Sequence, residues 1–207
     1  GFVGVDVFFV LSGYLITGLL TQERHQTGRI ILSRFYARRL KRLLPALMVM
    51  LLISTGSALW MLSDLEARAQ LASAPFAASW TSNLYFVLSE VDYFNEFASR
   101  DLFLHTWSLG VEEQFYLIWP LILLAIAWLA HRARTSPRQR MIRWLGLGFL
   151  FMASLGLALA WIHSSPAAAF YLMPARIWQF TLGALVYHAL SHPGERTTPI
   201  VPNLPGF

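Results

Sequence analysis

Cysteine is absent from the 207 residues, which excludes disulfides and thiolate chemistry within this sequence. Lysine is almost absent too: Lys41 is the only one, so nearly all the positive charge is arginine. Charged residues make up 13% of the chain against 56% hydrophobic and 14% aromatic residues. With a mean hydropathy of +0.51, that balance exceeds what a soluble core requires and predicts a membrane protein. A Walker or dinucleotide glycine motif, an HExxH motif and metal-ligand spacing are also missing, so no metal site is expected. No internal repeat is evident. The chain opens at Gly1 without methionine and is apolar from the start, which reads as an excerpt of something longer.

The apolar runs predict an all-α, multispanning transmembrane helical bundle with about five spans. The first is 1–20, GFVGVDVFFVLSGYLITGLL, about the 20 residues a bilayer core demands. It lacks the basic leader and the small-residue cleavage site of a signal peptide. Further spans are expected at 46–62, at 107–130 with Pro120 inside, at 144–162, and from Pro174-Ala175-Arg176 to about Leu190. Pro45 is expected to separate the basic segment before it from the second span. The stretch 71–88 is apolar enough for an interfacial or re-entrant helix, but Pro75 and Asn83 weaken a spanning reading. Residues 191–207 form a polar, proline-rich loop or tail after a membrane domain over 1–190.

Charge sets the expected topology. Segments 21–45 and 131–143 hold twelve of the sixteen basic residues, whereas 63–106 carries six acids against two arginines. Cytoplasmic loops carry the excess of Lys and Arg, so both basic segments are expected in the cytoplasm, and residue 1 and the acidic loop outside. Asp6, Glu112, Glu113 and Arg176 then fall near the outer face, with the Arg34 to Arg42 face opposite. Basic loops tied this closely to spans are poorly explained by nucleic-acid binding.

The stretch His105 to Tyr116, HTWSLGVEEQFY, places two adjacent acids at the head of an apolar helix, where charge is costly and marks function. Helical phase separates them: Glu112 shares a face with Ser108 and Tyr116, while Glu113 is rotated by about 100°. Glu112 is therefore the candidate for the bundle interior, as a general base or a partner for a buried cation. The bland reading is an acid favoured by the positive end of a helix. A triad of His105, Ser108 and Glu112 is disfavoured, because one helix face seldom supplies triad geometry. Trp107 and Trp119 read as interface and packing aromatics. Asp6 is either a solvated acid or a partner for Arg176, and Ser12-Gly13 is a mid-span site where small residues let helices approach closely. Arg34, Arg38 and Arg42 recur every four residues, stacking on one helical face. They suit anionic lipid headgroups or the phosphates of a soluble ligand.

Four ordered stretches, GFVGVDVFFVLSGYLITGLL, SRFYARRLKRLLPAL, HTWSLGVEEQFYLIWPLIL and PARIWQFTLGALV, resemble the membrane domain of the acyltransferase-3 family of bacterial O-acyltransferases. The resemblance implies a multi-pass enzyme of the bacterial inner membrane that moves an acyl group from acyl-CoA, commonly acetyl-CoA, to a hydroxyl of a surface glycan. That glycan is lipopolysaccharide, peptidoglycan or exopolysaccharide. It implies an essential histidine in a helix preceding this sequence, and about ten spans in the intact domain. It assigns motif positions to Asp6, Ser12 and Gly13, to Arg34, Arg38, Arg39 and Arg42 at a cytoplasmic acyl-CoA site, to Trp107, Ser108, Leu109, Glu112 and Tyr116, and to Arg176 and Gly183. Asp6, Glu112 and Arg176 together are expected to form the acceptor-side polar path. The rival from another class is a transporter or flippase-like component of glycan export, which also carries intramembrane acids and cytoplasmic arginines.

Overall fold

The computed structural model describes residues 2–89, 101–133 and 135–191. Among them the chain forms nine α-helices and no strand: α1 (Phe2–Thr27), α2 (Leu32–Met61), α3 (Asp64–Leu71), α4 (Ala74–Ala78), α5 (Ser82–Leu88), α6 (Trp107–His131), α7 (Ser136–Ser164), α8 (Pro166–Tyr171) and α9 (Ile177–Leu190). Four of these, α1, α2, α6 and α7, are long and apolar enough to cross a membrane. With 25 to 30 residues each, they measure about 37–45 Å at 1.5 Å per residue. A hydrocarbon core is about 30 Å thick, so their ends overhang it.

Those overhangs correct the expected loops. The segments 21–45 and 131–143 are mostly helix, and the connections shrink to 28–31 and 132–135. Hydropathy marks only the part of a helix that lipid surrounds, whereas arginine is a good helix former and lets the hydrogen-bond ladder continue beyond it. Pro45, expected at a boundary, lies inside α2, because membrane helices tolerate a proline when its freed carbonyl finds other partners. The turn after α1 is made by Gly28 at φ +76°, whose N–H closes on Arg24 O at 2.9 Å. Glycine takes this left-handed position without a Cβ penalty.

The ambiguous stretch 71–88 is divided among the end of α3, α4 and α5. None is long enough to span, and Ser82, Asn83 and Phe86 are fully buried. Asn83 and Gln114 exchange amide hydrogen bonds at 3.2 and 2.9 Å, and Asn83 also donates to Tyr171 O. The last apolar stretch is helical, but the prolines at 166 and 174 divide it. Its final piece, α9, has 14 residues, about 21 Å of helix. The segment 90–100, with Glu90, Asp92 and Glu96, and the tail 192–207 lie outside the described residues.

The core sits where α1, α6 and α9 meet. Phe180 stacks on Phe9 at 4.6 Å and on Phe115 at 3.9 Å, and Trp107 meets Phe9 edge-on at 6.2 Å. Such aromatic pairs contribute beyond their buried area. Trp119 donates to Thr17 Oγ1 at 2.9 Å, satisfying an indole that is otherwise fully buried. Outward faces are apolar instead: Leu52, Ile53 and Phe149 are exposed at 72%, 63% and 72%, as lipid-facing helices require.

Between α2 and the core, α3 starts with a reciprocal cap. Ser63 Oγ accepts from the Glu66 N–H, while the Glu66 carboxylate accepts from the Ser63 N–H at 3.2 Å and from its hydroxyl at 2.7 Å. The Ser63 bonds hold the Glu66 carboxyl below its ordinary 4.5. A depressed pKa adds stability that is present above the unfolded value and is lost as pH falls through the folded one. Amide hydrogen exchange at the start of α3 should therefore accelerate below pH 4.5 beyond its intrinsic trend. Ser63→Ala should remove that excess, and an unchanged acid profile in the variant would refute the cap's contribution.

Candidate active site

Two polar clusters sit inside the bundle, both anchored on α1. The first lies near its N-terminal end. Asp6 Oδ1 accepts from Arg176 Nη1 at 3.2 Å and from Gln179 Nε2 at 2.7 Å. Arg176 also donates through Nε to Phe170 O at 2.8 Å and lies 4.8 Å from the Phe170 ring centroid. Thus, of the two readings left open for Asp6, the structure shows the pair with Arg176, which joins α1 to the start of α9. Gln179 was not anticipated, although it falls three residues after Arg176 and so shares its face.

The second cluster is deeper. Glu112, 6% exposed, accepts at Oε1 from Ser12 Oγ at 2.7 Å and from the Tyr116 hydroxyl. The Arg39 guanidinium lies 3.5 Å from the centre of the Tyr116 ring, a cation–π contact to the same residue whose hydroxyl bonds Glu112. Helix α6 starts at Trp107, so the phase that paired Glu112 with Tyr116 at i, i+4 is the one observed. Glu113, rotated away, is half-buried, and its Oε1 has no hydrogen-bond partner among the described residues.

This grouping corrects the expected layout in two ways. Glu112 does not join Asp6 and Arg176. It joins Ser12, six residues or about 9 Å further along α1. Nor is it remote from the basic segment, since Arg39 reaches Tyr116. The cause is the helical continuation of α2 through 32–45, which turns Arg39 about 100° away from the Arg34, Arg38 and Arg42 face and into the bundle. Those three remain exposed, and Arg38 approaches Glu23 at 3.8 Å. The four arginines therefore do not act as one surface.

The remaining motif residues are structural in their contacts. Ser108 donates to the His105 carbonyl, and His105 is exposed, so His105, Ser108 and Glu112 form no triad. Trp107 is buried in the aromatic core. Gly13 and Gly183 let α1 and α9 touch backbone to backbone. A Cβ on Gly183 would strike Val10 O and lie 2.6 Å from Tyr14 N, and one on Gly13 would strike the Phe180 backbone.

Fold and site together define a multi-pass helical membrane protein with a buried carboxylate, two hydroxyl donors and a guanidinium at its centre. The chain belongs to the acyltransferase family whose model, described as an acyltransferase domain, matches residues 1–197. It is similar to O-acetyltransferase OatA of Staphylococcus aureus strain NCTC 8325, with 37% identity over 186 residues, 90% of this chain and 30% of that protein. It also resembles SACOL0978 of S. aureus strain COL, provisionally named an O-acetyltransferase, with 44% identity over 128 residues, 61% of this chain and 20% of that one. The chain thus spans less than a third of the length of these relatives. No solved structure is significantly similar to it.

Proposed function

We propose that this chain is the core of a membrane O-acetyltransferase that takes an acetyl group from acyl-CoA in the cytoplasm and passes it to a hydroxyl of a cell-surface glycan outside. The observation that carries the reading is the buried Ser12–Glu112–Tyr116 cluster with Arg39 beside it, in a chain whose relatives are named O-acetyltransferases. In the transfer, the acceptor hydroxyl oxygen bonds to the acetyl carbon and the thioester C–S bond breaks. The hydroxyl proton passes to a base and from it to the departing sulfur, so that CoA leaves as the thiol. A buried carboxylate whose position is fixed by two hydroxyl donors can receive that proton in the transition state, and a nearby guanidinium stabilises negative charge developing on oxygen.

In this reading the exposed Arg34, Arg38 and Arg42 attract the donor's phosphates at the inner surface, and Arg39 couples that surface to Glu112. Asp6, Arg176 and Gln179 tie α1 to α9 at the acceptor side and position the helix that carries Ser12. Anionic lipid headgroups also suit the exposed arginines, and the surrounding bilayer is the bacterial inner membrane.

Acetyl-CoA turnover and acetylation of envelope glycan by the full-length protein in membranes test this function. Arg38→Ala is expected to raise KM for acetyl-CoA several-fold. Absent transfer with intact glycan export would favour the transporter. Orientation has a separate check, made simpler by the absence of cysteine from these 207 residues. Cysteine at Ser136 should react with an impermeant maleimide only from the cytoplasmic side, and cysteine at Ser164, at the other end of α7, only from outside; the reverse would overturn the topology.

A further inference from the structure

At the end of the bundle opposite Asp6, a cavity of about 280 Å³ opens between the C-terminal turns of α1, α6 and α9 and the start of α7. Its polar lining includes Arg24 and His25 from α1, Arg143 from α7 and His188 from α9, while its apolar floor includes Leu20 and Leu147, both about fully buried. No acid lines it. Neither Arg24 nor Arg143 meets a carboxylate among the described residues, and the acid nearest in sequence, Glu23, faces Arg38 instead. The turn at Gly28 and Ile30 forms part of the wall.

We propose that this cavity is a binding site for a phosphate group carried on an apolar arm, separate from the exposed Arg34, Arg38 and Arg42 face. Two guanidinium groups from different helices supply the planar, bidentate donors that match phosphate oxygens, and the imidazoles of His25 and His188 supply further nitrogens. The apolar floor covers what the phosphate carries. The volume lies just below the range of about 300–1,000 Å³ typical of small-molecule sites, so it holds a phosphorylated head and the first part of its chain. Arg24 and Arg143, both exposed, line one concavity that holds no acid among the described residues, an arrangement that favours anion entry. A phospholipid has this chemistry in full; the phosphopantetheine end of a coenzyme A thioester, whose arm carries two amides, shares the phosphate and is the competing source. The site stands whether or not the acetyl-transfer reading does.

Binding of dioctanoyl phosphatidylglycerol and of CoA to the full-length protein in neutral detergent, measured by native mass spectrometry, distinguishes the two sources. The double variant Arg24→Gln/Arg143→Gln should weaken one or both probes by tenfold or more. Arg138→Gln/Arg140→Gln, which removes two exposed arginines of the same basic segment outside the cavity, should change binding less than twofold. Thr21→Trp, filling the wall without removing charge, should weaken the same probe as the cavity double variant and thereby exclude a mere charge effect. Loss confined to phosphatidylglycerol assigns the site to lipid, and loss confined to CoA assigns it to the donor. Equal weakening in cavity and control variants, full binding after Thr21→Trp, or no change for either probe overturns the proposal.

Discussion

Replacing Glu112 with glutamine is expected to lower acetyl transfer by about a hundredfold or more, the usual range for losing a general base, while the bundle remains assembled. Glutamine matches the shape of glutamate and can still accept from Ser12 and Tyr116 through its amide oxygen, but it cannot take a proton. A hundredfold loss corresponds to about 2.7 kcal/mol of transition-state stabilisation, well above the loss of one neutral hydrogen bond, about 0.5–1.5 kcal/mol. Tyr116→Phe removes one donor while keeping the ring beneath Arg39, so about tenfold is expected. Ser12→Ala should cost a similar factor through the other donor. If Ser12 instead carried the acyl group, its alanine variant would be as inactive as Glu112→Gln; the ranking of the two variants therefore separates a hydrogen-bond donor from a nucleophile. Turnover by Glu112→Gln within threefold of wild type would remove the carboxylate from the chemistry.

Gly183→Ala is expected to destabilise the protein far more than a glycine-to-alanine change in a helix suggests. Helix propensity alone favours alanine by about 1 kcal/mol. Against that, the new methyl would strike Val10 O and lie 2.6 Å from Tyr14 N, both backbone atoms that cannot swing aside as a side chain can. Overpacking a tight contact typically costs about 1–3 kcal/mol, and backbone obstruction belongs at or above the top of that range. Separating α1 from α9 would also stretch the Asp6 bonds to Arg176 and Gln179. Gly156→Ala is the internal control, because a Cβ there meets nothing within 4 Å, and it should leave thermal stability unchanged or slightly raised. A melting temperature in detergent that did not fall for Gly183→Ala would show that α1 and α9 separate freely. Gly13→Ala, whose Cβ would strike the Phe180 backbone, is expected to behave like Gly183→Ala.

These two expectations rest on different amounts of sequence information. The close approach of helices at Ser12-Gly13 was legible as a pair of small residues mid-span, but its partner was not, because sequence spacing does not say which helix comes alongside. Gly183 is a motif position in the sequence, and its contact follows only from α9 running beside α1. The 3.6-residue period by itself put Glu112 and Tyr116 on one face and Glu113 off it. It said nothing of Ser12, one hundred residues away in sequence.

Composition, apolar run length and the clustering of arginine were enough to establish an all-α, membrane-spanning chain, because bilayer thickness and backbone hydrogen bonding leave a span few alternatives. Tertiary structure decided how far each helix extends past the lipid. Leu32–Met61 is one continuous helix through Pro45, and this brings Arg39 over Tyr116 while Arg34, Arg38 and Arg42 face outward. It also divided the expected path into two clusters, Asp6 with Arg176 and Gln179 at one level of α1, and Ser12 with Glu112 and Tyr116 at another. The physical reason is that hydropathy and helical phase are local properties of a segment, whereas which polar groups share a site depends on the rotation and depth at which separate helices pack.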